Sequence, residues 1–205
     1  MNNIKKYFKL DFNGALLLSY NNLKRYLFLY FPSLYMKIKL KIAGVKLGKN
    51  VKFGGIAQVE RFPLSEIIIG NSCKFNSKSI FNQRGIKQCI IQTGKPGASI
   101  RIGDNCGFSG VSIVSDSSVL IGNNTTIGAN TIIGDRDDHP EKLHTSPKNI
   151  IIGNNVFIGM HCLIMKGVKI GDNSIIGAGS IVTKDIPENV IAVGIPCKVI
   201  KVNNK

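Results

Sequence analysis

Histidine is the side chain whose pKa lies nearest to neutral, and the chain has three of them: His139, His144 and His161. The first two lie in the polar segment 135–149, which reads DRDDHPEKLHTSPKN. A histidine in such a segment can act as a general base that removes the proton from a weak nucleophile, such as a hydroxyl group. Three histidines spread in this way do not match the spacing of a zinc site, so we expect no metal.

The polar segment interrupts a repeat of six residues. From residue 152 to residue 187 the sequence divides without a gap into IGNNVF, IGMHCL, IMKGVK, IGDNSI, IGAGSI and VTKDIP. Each block opens with an aliphatic residue, and its fifth residue is small or β-branched. A period of six fits neither a helix nor a single strand, but it fits a chain that turns a corner every six residues. We therefore predict a solenoid of short strands in which three sides make one coil.

The same frame extends toward the N-terminus, although less regularly. It begins at Leu47, resumes at Ile69 with IGNSCK, FNSKSI and FNQRGI, and resumes at Ile102 with IGDNCG, FSGVSI and VSDSSV. Residues 87–99 fall outside the frame and contain the turn sequence GKPG. The pattern predicts about six coils. The segment 135–149 would be a loop thrown outward at a corner, where functional residues concentrate in such folds.

Positive charge is concentrated at the N-terminus. The net charge is +15, and residues 1–52 carry eleven Lys or Arg against one acidic residue. We interpret residues 1–44 as a basic, amphipathic and helical segment outside the repeat. Its longest uncharged run is too short to span a membrane, and no signal-peptide cleavage site follows. Two interpretations stay open, namely a cap on the end of the solenoid and a peripheral contact with an anionic membrane.

The cysteines and the charge also bear on location and partners. The chain has five cysteines and no CxxC pair. Cys73, Cys106 and Cys162 each occupy the small fifth place of a block, which favours buried thiols in the reducing cytoplasm. A net positive charge is also common in nucleic-acid-binding proteins. No aromatic and basic module supports that function here, so we expect no nucleic-acid partner.

The quoted repeat also carries a family resemblance. The segment GDRDDHP, followed by IIIGNNVFIGMHCLIMKGVKIGDNSIIGAGSIVTKDIPENVIAVGIPCKVI, resembles the hexapeptide-repeat acyltransferases. It is most similar to the sugar O-acetyltransferases, namely the galactoside and maltose enzymes and the O-antigen and capsule enzymes. The resemblance covers residues 45–202 and is closest over 150–202. It implies an all-β, left-handed parallel β-helix, a homotrimer, and acetyl-CoA bound in the cleft between neighbouring coils.

The resemblance also implies a catalytic residue. His139 matches the catalytic base of the family, which removes the proton of a sugar hydroxyl while that hydroxyl attacks the thioester directly. His144 is the alternative base, and His161 is interpreted as structural or as part of the cleft wall. An acidic residue of the same loop is expected to orient the imidazole, and the candidates are Asp135, Asp137, Asp138 and Glu141.

Residue-by-residue matching to the family predicts the two binding sites. The positions that match the CoA-lining residues are Gly159, Met160, Gly177, Ala178, Thr183, Lys184, Lys198 and Lys201. Gly177 and Gly179 would let the pantetheine arm lie against bare backbone. The three lysines would meet the nucleotide phosphates, although the family often has Arg at the last two positions. The positions predicted to bind the acceptor are Asp116, Ser109 and Arg84.

These residues predict an acetyl-CoA-dependent O-acetyltransferase that acts on a sugar in surface-polysaccharide synthesis. We expect the protein in the cytoplasm, held by its basic N-terminal segment at the inner face of the membrane. Two alternatives remain: an N-acetyltransferase that acts on an amino sugar, and a hexapeptide solenoid without catalytic activity that serves as a scaffold.

Overall fold

The computed structural model describes residues 11–78, 85–136 and 146–203 of the chain, except for the side chain of Phe28. These residues form one long N-terminal helix followed by six coils of short parallel strands. The predicted helical character of the N-terminal segment is therefore confirmed.

Helix α1 runs from Phe12 to Ile42. Its N-cap is Asp11, whose carboxylate accepts a hydrogen bond of 2.9 Å from the backbone N–H of Gly14. Near its C-terminal end, Met36 and Leu40 are fully buried in the core that continues into the first coil. Ser33 ties the helix to that coil, because its hydroxyl accepts from the N–H of Phe53 at 2.7 Å and donates to the Phe53 carbonyl at 3.2 Å. The end of α1 thus packs on the first coil.

Each coil contributes one strand to each of three sheets. Sheet A consists of β1 (Lys46–Leu47), β4 (Glu66–Ile69), β7 (Ser99–Ile102), β10 (Ser118–Ile121), β13 (Ile150–Ile152) and β16 (Lys169–Ile170). Sheet B consists of β2 (Lys52–Gly54), β5 (Lys74–Asn76), β8 (Gly107–Ser109), β11 (Thr126–Ile127), β14 (Phe157–Ile158), β17 (Ile175–Ile176), β19 (Val190–Val193) and β20 (Lys198–Val202). Sheet C consists of β3 (Gln58–Glu60), β6 (Ile90–Thr93), β9 (Ser112–Ser115), β12 (Ile132–Gly134), β15 (Leu163–Ile164) and β18 (Ile181–Val182).

The aliphatic residue that opens each block points into the coil. All six such residues between 152 and 187 are buried: Ile152, Ile158, Ile164, Ile170, Ile176 and Val182. They stack in register, since Ile121 pairs with Ile152 and Ile152 with Ile170 in parallel strands. The described strands pair in parallel except at the C-terminus, where β20 lies antiparallel to β19. These three parallel sheets confirm the predicted fold class, a left-handed β-helix of hexapeptide repeats.

Asparagine builds the corner between sheets A and B. Six asparagines have φ between 54° and 58° there, a left-handed conformation that Asn tolerates better than most residues: Asn50, Asn105, Asn124, Asn155, Asn173 and Asn189. From Asn105 to Asn173, each side-chain amide donates to the next asparagine side chain in the column, at 2.9–3.2 Å. The ladder joins successive coils along this edge.

The predicted frame was incomplete in one place and wrong in another. Residues 87–99 lie outside the six-residue register, since the next inward residue of a described strand after Phe75 is Ile91. They nevertheless belong to the coil, because β6 pairs with β3 and β9 and supplies the third side of the second coil. In the third coil, Ile113 rather than Val114 points inward and pairs with Ile133. The reason is that Gly110, with φ 59°, turns the corner one residue early.

The cysteines are buried and free, as the repeat predicted for three of them. Burial raises the pKa of the Cys89 and Cys162 thiols, so these groups are inert small apolar side chains. Within the described residues, no helix is both long and apolar enough to cross a membrane.

Candidate active site

Two corners of the coil carry the residues predicted to form the site. The BC corner is the set of turns that lead from sheet B to sheet C, and the CA corner is the set that leads from sheet C to sheet A. A strand of sheet C separates them in every coil. A residue at one corner therefore lies at the opposite end of that strand from a residue at the other.

The BC corner brings together four of the predicted CoA-binding residues. Gly159 and Met160 follow β14 in the fifth coil, and Gly177 and Ala178 follow β17 directly beside them in the sixth. The N–H of Gly179 donates to the carbonyl of Met160 at 2.8 Å and fixes the spacing of the two turns. Ala178 and Gly179 are exposed, so they present an open strip of backbone to solvent.

The glycines of this corner have different reasons to lack a side chain. A Cβ added to Gly159 would lie 2.6 Å from the Cα of Ala178, and one added to Gly177 would collide with Val193. Gly179 has φ +72°, and a Cβ there would meet no atom within 4 Å. Coil packing alone therefore accounts for the first two glycines. Gly179 is the glycine of this corner whose backbone is open to solvent.

The predicted lysines fall at two places. Lys198 pairs with Val193 in the β19–β20 ladder, and Val193 packs on Gly177, so Lys198 lies beside the BC corner. Lys201 is exposed farther along β20. Thr183 and Lys184 are exposed at the CA corner. They lie beyond β18, five residues from Ala178, which is roughly 16 Å of extended chain.

The segment 135–149 leaves and re-enters the coil at the CA corner. Asp135 is fully buried, and its carboxylate accepts hydrogen bonds from the Ser115 hydroxyl at 2.6 Å and from the N–H groups of Asp116 and Ser117 at 2.7 and 2.9 Å. Its carbonyl accepts from the N–H of Lys148 at 3.0 Å, which closes the foot of the loop. Asp135 therefore has a structural role, although we had included it among the candidates for orienting a histidine.

Asp116 is buried in an ion-paired cluster beside this foot. Its side chain is 4% exposed, and its carboxylate contacts Arg136 Nη1 at 3.1 Å and Lys95 Nζ at 3.4 Å. We predicted that this carboxylate binds a sugar hydroxyl. In the structure it is paired with two cations and holds Arg136 in place at the start of the loop.

Ser109, which was also predicted to bind the acceptor, is not brought to this cluster. Ser109 lies at the far end of β9 from Asp116, and its hydroxyl accepts from Asn76 Nδ2 at 3.4 Å. His161 is exposed at the BC corner with φ 55°, and its N–H donates to the Ala129 carbonyl at 2.7 Å. The remaining candidates lie outside the described residues: His139, His144, Arg84, Asp137, Asp138 and Glu141.

A cavity at the CA corner was not predicted. It has a volume of about 360 Å³ and extends from the first coil to the foot of the loop. Its walls are formed by Glu60, Arg61, Phe62, Pro63, Gln92, Thr93, Gly94 and Arg136. The one signal in the sequence was the imperfect block VERFPL, in which charged and aromatic residues stand where a regular hexad has small ones.

Comparison with known proteins places this architecture among transferases. Residues 149–184 match the family model described as bacterial transferase hexapeptide (six repeats). The chain is 50% identical over 114 residues to a galactoside O-acetyltransferase of Escherichia coli, a match that covers 51% of this chain and 55% of that protein. It is 36% identical over 138 residues to a galactoside O-acetyltransferase of Lactococcus lactis, with coverage of 60% and 63%. The matched part thus spans between half and two thirds of these relatives.

Solved structures share the fold. A variant of AntD, an N-acyltransferase from Bacillus cereus in complex with dTDP-4-amino-4,6-dideoxyglucose and coenzyme A, has a TM-score of 0.64 at 20% identity, with coverage of 82% of this chain and 89% of that chain. A hexapeptide-repeat acetyltransferase from Vibrio cholerae has a TM-score of 0.53 at 19% identity, with coverage of 91% and 90%. At these identities the likeness concerns the fold.

Proposed function

Because the chain belongs to the hexapeptide-repeat acyltransferase family, we propose that it transfers an acetyl group from acetyl-CoA to a hydroxyl group of a sugar. The BC corner is the observation that carries this proposal. Its exposed backbone at Ala178 and Gly179 offers a surface for the pantetheine arm, and Lys198 beside it offers a cation for the phosphates. Since the two curated relatives are named galactoside O-acetyltransferases, a galactoside is the first acceptor to test.

The chemistry requires one base. We assign this role to His139, which removes the proton of the sugar hydroxyl as the hydroxyl oxygen attacks the thioester carbonyl. The new C–O bond forms, the C–S bond breaks, and the departing thiolate takes the proton from the imidazolium. The products are the acetylated sugar and free CoA, and the histidine returns to its starting state without an acyl-enzyme.

The two halves of the proposed site lie at different corners. The loop that carries His139 starts and ends at the CA corner, whereas Gly159 and Ala178 lie at the BC corner. A cleft in which the BC corner of one copy faces the CA corner of the next would bring them together. Such a head-to-tail contact closes into a ring, and the resemblance to the acyltransferase family implies three copies, so we propose a homotrimer. Sedimentation of the purified chain would then report the mass of three copies.

The double variant Lys198→Ala and Lys201→Ala is expected to raise the KM for acetyl-CoA and leave kcat for galactoside acetylation unchanged. Each exposed lysine contributes up to about 1 kcal/mol to binding a phosphate, which is about five-fold in KM per lysine. The measurement is thiol release from acetyl-CoA in the presence of methyl β-D-galactoside. Acetyl-pantetheine lacks the nucleotide phosphates, so the variant should use it as well as the wild type does.

The matched control is Lys169→Ala, because Lys169 is an exposed lysine of the sixth coil that lies on sheet A and not on β20. A KM increase as large in this control would contradict the assignment of the phosphates to β20. The same assay with galactosamine distinguishes oxygen from nitrogen acceptors. If the wild-type chain releases no thiol with any sugar and does not bind CoA, the scaffold alternative takes precedence over the enzyme.

Contact with an anionic membrane is the second part of the proposal. Helix α1 has an outward stripe, on the side away from Ser33, Met36 and Leu40. Its members recur every three or four residues and are all exposed: Phe12, Leu16, Tyr20, Leu23, Leu27, Phe31, Leu34 and Ile38. A helix with apolar residues on two faces requires a second partner besides the coil.

The charge of α1 indicates which partner this is. The helix carries Lys24, Arg25, Lys37, Lys39 and Lys41 and has no acidic residue between 12 and 42. Two such helices would repel each other, whereas an anionic lipid surface attracts all five cations. The aromatic side chains of the stripe, Phe12, Tyr20 and Phe31, suit the headgroup boundary. A location at the inner face of the membrane would bring the enzyme to surface glycans during their synthesis.

The double variant Leu23→Gln and Leu27→Gln is expected to weaken binding to phosphatidylglycerol-containing vesicles by at least about ten-fold, since each exposed leucine loses the transfer free energy of its side chain. The side chains are 58% and 43% exposed, so the melting temperature should not change. Co-sedimentation measures the binding, with neutral phosphatidylcholine vesicles and high salt as controls. If the variant instead changed only the oligomeric mass, the stripe would be a contact between copies.

A further inference from the structure

We propose that the cavity at the CA corner binds a sugar ring of the acceptor that is adjacent to the ring being acetylated, so that the preferred acceptor is an oligosaccharide. This inference rests on the proposed function, because it names the acceptor of the same site. It assigns recognition to Phe62, Gln92, Glu60 and Arg136, none of which is part of the acetyl-transfer chemistry.

Phe62 has the geometry of a stacking platform. Phe62 lines the cavity beside Pro63, and the residue is 40% exposed. Its N–H donates to the buried Thr93 hydroxyl at 3.0 Å, and its carbonyl accepts from the Ser65 hydroxyl at 2.7 Å. These bonds fix the backbone and leave the ring free to face a ligand. The C–H face of a pyranose is the natural partner of such a ring.

The polar walls of the cavity complement sugar hydroxyls. Glu60 and Gln92 are paired across strands β3 and β6, so an acceptor group and an amide lie side by side. Arg136 forms another part of the wall and is held by the buried carboxylate of Asp116. Small-molecule sites commonly combine an apolar surface with a few positioned polar groups of this kind.

Gly94 shows that Arg136 and Asp116 pack closely against the backbone of the second coil. A Cβ at this position would collide with the Asp116 carboxylate and would lie 3.0 Å from Arg136 Nη1. The absence of a side chain at Gly94 therefore lets the ion pair of Asp116 and Arg136 approach the backbone of the second coil. The wall depends on this glycine rather than on a flexible side chain at the surface.

The length of the cavity exceeds that of one sugar ring. Phe62 follows β3 in the first coil, whereas Arg136, at the other end of the cavity, follows β12 in the fourth. Three coil steps of about 4.8 Å place these two residues roughly 14 Å apart along the axis. This exceeds the width of one pyranose, so a ring stacked on Phe62 leaves room for a linked ring nearer the foot of the loop.

The test compares Phe62→Ala with the wild type by two measurements. Saturation-transfer NMR of the full chain without acetyl-CoA uses galactose, glucose and N-acetylglucosamine trisaccharides and their monosaccharides as probes. We expect the wild type to bind at least one trisaccharide, and the variant to bind it about ten-fold more weakly, as the loss of an aromatic contact predicts. In the acetyl-transfer assay, the variant should lose the wild-type preference for the trisaccharide and retain its kcat/KM for the monosaccharide.

The matched control is Leu120→Ala, because Leu120 is 43% exposed on the outer face of sheet A, away from the cavity. Equal trisaccharide binding by the wild type and Phe62→Ala, or no trisaccharide binding by the wild type, would overturn the inference. The proposed function fails separately, since it requires acetyl transfer whereas the NMR measurement requires none.

Discussion

Replacement of His139 by alanine is expected to lower kcat for sugar acetylation by about 10² to 10⁴, the usual contribution of a positioned general base. The KM for acetyl-CoA should change little, because the proposed thioester contacts lie at the BC corner and not in the loop. The loss in kcat is expected because a sugar hydroxyl is a poor nucleophile at neutral pH unless its proton is removed during attack. Thiol release under saturating acetyl-CoA, with methyl β-D-galactoside as acceptor, gives both constants.

Two histidine variants serve as controls for this result. His144→Ala tests the other loop histidine, and His161→Ala tests an exposed histidine at the BC corner. Full activity in His139→Ala, together with loss of activity in His144→Ala, would move the base to His144. If the site lies between copies, mixing His139→Ala with a variant of another copy's BC corner, such as Ala178→Glu, should restore part of the activity. Recovery in the mixture would contradict a site made by one chain.

Replacement of Phe75 by alanine is expected to destabilise the fold by about 3–5 kcal/mol, the usual cost of truncating a buried aromatic residue. Phe75 is 1% exposed and lies in a column of three rings from successive coils. Its ring centroid is 5.2 Å from that of Phe53 and 4.8 Å from that of Phe108. The variant would leave a cavity between two rings that the rigid coils cannot close. Thermal unfolding followed by circular dichroism measures the effect.

Phe157→Ala is the matched control for this stability effect. It is also a sheet B phenylalanine, but it points outward and is 47% exposed. We expect this substitution to change the free energy of unfolding by less than about 1 kcal/mol. A similar loss in both variants would mean that the outer face of sheet B is covered in the assembled protein.

The core of the fold was predictable because inward and outward positions alternate with a fixed period. Ile152, Ile158 and Ile164 could be assigned to the interior from spacing alone, and the structure buries them. The third coil was harder to predict, because a single glycine decides where its corner falls. Gly110 turns early, and the inward position moves from Val114 to Ile113. A corner is a local backbone conformation, and hydrophobic periodicity does not encode it.

The candidate site was predictable only in part. Residues on one corner, such as Met160 and Ala178, could be grouped because stacked blocks place equivalent positions side by side. The burial of Asp116 could not be derived in this way, because its partners Lys95 and Arg136 come from different coils and meet only through the turns. The cavity beside Phe62 likewise forms where turns of different coils contact each other. Such contacts between irregular turns do not produce a periodic pattern in the sequence, so the sequence does not predict them.

The closure of segment 135–149 at its foot has a consequence for how such proteins diversify. One backbone hydrogen bond, from Lys148 to Asp135, joins the two ends, and the buried Asp135 carboxylate anchors them to the preceding coil. The packing of the neighbouring coils therefore does not depend on how many residues lie between those ends. Doubling the length of a flexible loop costs only about 0.6 kcal/mol of closure entropy. New recognition sequences can thus be inserted at this point while the scaffold keeps its stability, and acceptor choice can evolve independently of the coil.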